Sequence, residues 1–273
     1  MLETNHRTLL ALAGLLSALA GPAALEGQVE AFSFDSSRVP VGRVFHYLKS
    51  NQDGSHPGNV SLYVAGTDRI EAVKWSPGDT AVVTVAAELD WKRFSPRRLE
   101  SWLLSRGSAP QLRATLETEA DGSGVRISFL PDQVIPIRTW PWHSFDFDFA
   151  SLSLALPHLR RPEERWTFGR SDVTYQTTGA PFADFGLVEV RFVSREQRDG
   201  RAVRRYELRG PGVQDQQGAL WVALDGGYLV EFEMPFPDEP GYRDVRLRLT
   251  STAKLSSAEW EEFKRTRTAG RGQ

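Results

Sequence analysis

The chain has 273 residues, no cysteine, five histidines and a formal net charge of −2. Without cysteine it has no disulfides, thiolate metal sites, cysteine nucleophile or acylated N-terminal cysteine. The near-neutral balance argues against a nucleic-acid surface or a polybasic membrane patch, while 40% hydrophobic and 25% charged residues supply a core of ordinary size.

Arg7 precedes an apolar run from Leu9 to Ala20, which Gly21 and Pro22 end and Ala23 and Ala24 follow. This is the pattern of a secretory signal peptide, and the run falls short of the ~20 residues that span a bilayer. The expected organisation is a leader over residues 1–27, one β domain over 28–266 and a disordered tail over 267–273. An exported chain free of disulfides suits a bacterial periplasm, so a periplasmic or secreted location is expected.

From there on, period-two alternation dominates. Val60, Leu62 and Val64 are followed by Ala81, Val83, Val85, Ala87 and Leu89. Leu112, Ala114 and Leu116 come next, then Val125, Ile127 and Phe129. Val188, Val190 and Phe192 oppose Glu189 and Arg191. Tyr228, Val230, Phe232 and Met234 oppose Glu231 and Glu233, and Val245, Leu247 and Leu249 close the series. Turn residues fall between these runs at Asp53-Gly54, Gly66-Thr67, Pro77-Gly78, Asp121-Gly122, Asp199-Gly200 and Asp225-Gly226. Such a pattern predicts an antiparallel sheet of eleven or twelve strands. The proline- and tryptophan-rich stretch from Pro131 to Pro141 reads as a loop covering that sheet.

Three segments read as helices. Ser95 and Pro96 form a helix start over residues 95–105, with Leu99, Trp102 and Leu103 on one face. Phe145, Phe147 and Phe149 alternate like a strand, which then passes into a short helix over 149–156 with Asp148 as its cap. Ser256 and Glu259 make a capping box for a helix over 257–266, and Leu255 and Trp260 make its hydrophobic staple.

Catalytic signatures are weak. His143, Asp146 and Asp148 are the residues best suited to hold a metal, yet on a strand the two carboxylates share a face that His143 does not. No Gly-x-Ser-x-Gly elbow, phosphate loop or dinucleotide fingerprint is present. Eight tryptophans and fifteen phenylalanines remain as the informative feature, several of them between Trp140 and Phe149. They either fill an ordinary core or line an apolar cavity.

The hairpin Ala219-Leu220-Trp221-Val222-Ala223-Leu224 into Tyr228-Leu229-Val230-Glu231-Phe232 resembles the "G-x-L-W-hydrophobic, turn, hydrophobic" hairpin of the periplasmic LolA-type lipoprotein carriers and their half-barrel relatives. The resemblance extends from about Phe32 to Phe263. It implies a mainly β fold: a strongly curved antiparallel sheet, an open half-barrel, with about three short helices on its concave side. It also implies acyl chains held between sheet and helices. The expected function is therefore a non-enzymatic binding or carrier protein for an apolar small molecule or lipid. Trp102, Trp140, Trp142, Phe145, Phe147, Phe149, Leu152 and Trp221 are its expected ligand-binding residues, and the three helices its lid. No cofactor is expected. Two other readings stand beside it: an envelope scaffold that pairs with another envelope protein through a sheet edge, and a metal-dependent hydrolase built on His143, Asp146 and Asp148.

Overall fold

A computed structural model describes residues 29–173, 182–235 and 241–268; the expected leader and the chain from residue 269 lie outside the described residues. The first meander comprises β1 (Arg43–Ser50), β2 (Gly58–Val64), β3 (Arg69–Trp75) and β4 (Ala81–Asp90). It continues with β5 (Ser95–Ser105), β6 (Gln111–Thr118), β7 (Gly124–Ile127) and β8 (Leu130–Pro136). β9 (Trp142–His143) then leads to helix α1 (Ala150–Ala155). β10 (Trp166–Val173), β11 (Phe182–Arg198) and β12 (Arg201–Arg209) follow. β13 (Gly218–Ala223), β14 (Leu229–Met234), β15 (Val245–Lys254) and helix α2 (Ser257–Thr268) complete the described chain.

All six turn pairs read from the sequence fall between consecutive strands. At Asp199-Gly200 both residues have positive φ, 48° and 74°, as a two-residue hairpin loop requires. The result is one open sheet of fifteen strands, against the eleven or twelve expected. Its order runs β8-β7-β6-β5-β4-β3-β2-β1-β15-β14-β13-β12-β11-β10-β9. Neighbours are antiparallel except β9 and β10, which run parallel.

Curvature follows from what meets inside. Leu99 and Leu116 of the first meander share a core with Val188 and Leu208 of the second, strands far apart in sheet order. Near the β9 edge, the Trp142 N–H donates to Ser95 Oγ on β5 at 2.9 Å. Just after β8, the Arg138 N–H donates to the Asp184 carboxylate on β11 at 2.8 Å. Residues 137–141 thus cross from one edge of the sheet to the other. Gly169 makes room for them, because a Cβ there would stand 2.6 Å from the Thr139 carbonyl oxygen.

Three expectations are corrected. Residues 95–105 are not a helix but strand β5, paired with β4 and β6 along its length. The Ser-Pro start is a local preference, and pairing on both sides overrides it. Arg98 then bridges Glu117 at 2.6 Å and Glu100 at 2.7 Å on the outer face, while Leu99 is fully buried on the inner one. Helix α2 forms with the expected capping box: Ser256 N–H and Oγ–H each donate to Glu259 at 2.7 Å. It does not lie on the concave side, however. Trp260 packs with Val44, Tyr63, Val73 and Val82, which alternate with the core-facing Phe45, Leu62 and Ala72. The helix therefore covers the outer face, and two α-helices stand among the described residues where three were expected. Finally, Phe145–Phe149 is a run of turns rather than a strand.

Candidate functional site

Residues 140–159 fill the concave side of the sheet. Trp142, Phe145, Phe147, Phe149 and Leu152 are each at most 4% exposed and belong to the main core. Phe149 lies 5.3 Å from Phe145 and 5.6 Å from both Phe168 and Phe232, ring centroid to centroid. The five side chains form packing and not the lining of an open cavity.

Buried charges clamp this plug on two sides. From β10, the Asp172 carboxylate accepts from Ser144 Oγ at 2.9 Å, Phe145 N–H at 2.5 Å and Asp146 N–H at 3.1 Å. Arg170 donates to the same carboxylate and to the Gly212 carbonyl oxygen. On the other side, Lys74 Nζ lies 2.6 Å and Lys49 Nζ 3.6 Å from the Asp148 carboxylate. Asp148 is thus an ion-pair partner and not the helix cap; the cap position is Phe149, whose side chain makes no capping hydrogen bond. Asp148 and Phe149 both hold φ at 49°, a conformation that costs side-chain-bearing residues energy and that the clamps and ring contacts maintain.

These contacts disperse the proposed metal ligands. His143 Nδ1 is 2.9 Å from Ser151 Oγ, and Asp148 faces lysines. Among the described residues no three His, Asp or Glu side chains gather as metal ligands.

The end of the half-barrel carrying the β4–β5 and β13–β14 turns is covered by a strap, residues 29–42, bonded to the end of the plug. Ser33 N–H donates to the His158 carbonyl oxygen at 2.8 Å, Arg160 N–H to that of Ala31 at 2.9 Å, and Asp35 N–H to His158 Nδ1 at 3.2 Å. A cleft opens on each side of the strap. One, of about 470 Å³, lies between the sheet's inner face and the plug end. Phe45, Leu156, Leu159, Tyr206, Val222 and Tyr228 line it together with Arg38, Arg43, Arg204 and Asp225; Arg38 is paired with Asp35 at 3.4 Å and Arg204 with Glu163 at 3.4 Å. The other, of about 680 Å³, lies against Phe32, Phe34, Phe94 and Trp140.

Of the eight expected ligand residues, only Trp140 lines a cleft on this concave side. Trp102 and Trp221 lie on the outer face. Trp221 packs with Val203, Ala223 and Val230 beneath Arg198, whose guanidinium carbon is 3.9 Å from the ring centroid. A bulge opposite Trp221 and Val222 carries Val230 to that face, which breaks the alternation read through Tyr228, Val230 and Phe232. The strap was missed, since residues 29–42 show neither period. Its aromatics, Phe32 and Phe34 beside the basic Arg38, were the available signal.

Burial holds two histidines neutral. The His143 pKa is pushed down to about 3 by burial, and that of His158 to about 4 by burial and then by Arg38. Both lie below the unfolded value of 6.5, so as pH falls the unfolded chain binds protons first. Stability contributed above pH 6.5 is lost between 6.5 and the folded values, by up to about 1.4 kcal/mol per pH unit per histidine. Denaturant midpoints should fall between pH 6.5 and 4.5, and His158→Gln should flatten that fall; an unchanged slope would refute the assignment.

Neither a family model nor a curated protein matches this sequence. Two solved structures are similar to it. One is a putative outer membrane lipoprotein-sorting protein domain from Vibrio parahaemolyticus, 9% identical, covering 85% of this chain and 94% of that chain with a TM-score of 0.32. The other is a LolA superfamily protein from Nitrosomonas europaea, 11% identical, covering 86% of this chain and 93% of that chain with a TM-score of 0.25. By its name, the second belongs to the superfamily that the hairpin from Ala219 to Phe232 resembles.

Proposed function

We propose that this protein is a periplasmic binding or carrier protein for an amphiphile with an aliphatic chain and an anionic head, held in the cleft between the sheet's concave face and the end of the plug. The observation that carries the reading is the composition of that cleft, an aliphatic and aromatic floor under three guanidiniums and one carboxylate. Its ~470 Å³ falls within the roughly 300–1,000 Å³ of small-ligand sites. The ligand sits beside the packed interior and not within it.

Each methylene buried there contributes ~0.8 kcal/mol. About ten give ~8 kcal/mol before the cost of association, which removes several kcal/mol and leaves a weak, reversible complex suited to a carrier. Arg43, exposed and without an ion pair among the described residues, is the cation free to meet the head.

The test is titration of an 11-(dansylamino)undecanoate probe. Leu224→Trp, which fills the cleft from its half-buried rim, should abolish binding. Arg43→Glu should weaken binding about tenfold, equivalent to ~1.4 kcal/mol. Equal affinity in both variants and the parent would refute the reading. The scaffold alternative draws on the filled interior and on the edge strand β8, on which Val134 is 39% exposed and next to which Phe129 is 46% exposed. It gains ground if the probe does not bind the parent.

A further inference from the structure

The two clefts at the strapped end differ in chemistry. The cleft on the plug side takes its aliphatic character from Leu156, Leu159, Val222 and Leu224. The larger one, across the strap, is lined among the described residues by four aromatic side chains and a single aliphatic one, Val29. Phe32 stacks on Phe94 with centroids 5.1 Å apart and planes at 23°. Phe34, 41% exposed at the mouth, stacks on Trp91 at 4.5 Å, and the Arg93 guanidinium carbon lies 5.4 Å from the Trp140 ring centroid. Aromatic faces and edges favour a flat, polarisable ring over a flexible chain, because ring pairs attract beyond the area they bury.

The rim adds charge. Lys92, Arg93 and Arg160 line the cleft against Glu30 and Asp121, a surplus of cation. Arg93 is tied to Asp90 at 3.6 Å and to the Ala120 carbonyl oxygen at 2.8 Å, and Arg160 Nε–H donates to the Phe32 carbonyl oxygen at 2.9 Å. Lys92 is exposed and makes no side-chain hydrogen bond or ion pair among the described residues.

We propose that this cleft is a second ligand site, separate from the amphiphile cleft, and that its ligand is a rigid aromatic anion: an arene ring seated among Phe32, Phe34, Phe94 and Trp140, with its carboxylate or sulfonate toward Lys92. The strap is the shared wall, so the two sites lie side by side without overlapping.

Calorimetric titration of the full chain with naphthalene-2-sulfonate and, separately, with decanoate tests this. The arene anion should bind one equivalent. Phe34→Ala and Lys92→Glu should each weaken it tenfold or more, and Leu224→Trp should leave it unchanged. Saturating decanoate should not displace it. Lys92 and Phe34 are exposed, and matched thermal midpoints confirm that the variants are folded. Failure of the arene anion to bind would overturn the proposal. So would equal binding in Phe34→Ala, Lys92→Glu and parent, loss in Leu224→Trp, or displacement by decanoate. A failure of decanoate alone bears on the proposed function and leaves this site standing.

Discussion

Asp172→Asn is expected to destabilise the protein by about 3–5 kcal/mol, measured as the fall in unfolding free energy in denaturant. Asp172 is 2% exposed and Arg170 beside it 4% exposed, so the change takes away the negative charge that this buried guanidinium donates to. The same change weakens three further hydrogen bonds, from Ser144 and from the backbone of Phe145 and Asp146. Asparagine presents one acceptor oxygen where the carboxylate presents two. Because a domain retains only about 5–15 kcal/mol, this single change removes a large fraction of its stability. Asp121→Asn, at an exposed turn, serves as the comparison and should shift stability by less than about 0.5 kcal/mol. If the two variants unfold alike, the carboxylate does not hold the plug.

Phe149→Ala should cost a similar ~3–5 kcal/mol, and for a different reason. The ring is 1% exposed and touches Phe145, Phe168 and Phe232, so truncation opens a void that the surrounding rings close only in part. Such a void is lined by hydrocarbon and stays dry. Benzene should then raise the thermal midpoint of Phe149→Ala and leave that of the parent unchanged. A parent midpoint that rises equally would mean the interior already holds open space, and the ligand would belong within the plug.

The sheet was legible where local chemistry and tertiary pairing agree. Asp199-Gly200 and, in the other turn, Gly226-Gly227 supply positive φ, and alternating runs flank them, so each hairpin could be read from about a dozen residues. The same holds for α2, whose start is fixed by Ser256 and Glu259 alone. Its side of the sheet was not legible, because Trp260 is apolar and the outer face holds an apolar patch of its own at Val44, Tyr63 and Val73. Residues 95–105 failed for the opposite reason: Ser95 and Pro96 speak for a helix, and the ladders with β4 and β6 outweigh them. The aromatic cluster from Trp140 to Phe149 was recognised as one unit. Whether it lines space or occupies it depends on Asp172, Lys49 and Lys74, residues distant in sequence that pin it down. Both clefts depend on the strap, which no periodicity announces.

The first and last strands, β1 and β15, lie side by side near the middle of the sheet, while mid-sequence strands β8 and β9 form its two rims. The molecule is consequently two ribbons sewn together by its own ends. Until the last strand is in place each ribbon has a raw margin, β1 on one and β14 on the other, open to the wrong neighbour. The stitch is also the most distant strand pairing among the described residues, so it carries the largest loop-closure entropy cost. A chain cut short before Val245 would keep nearly every turn and still have no seam.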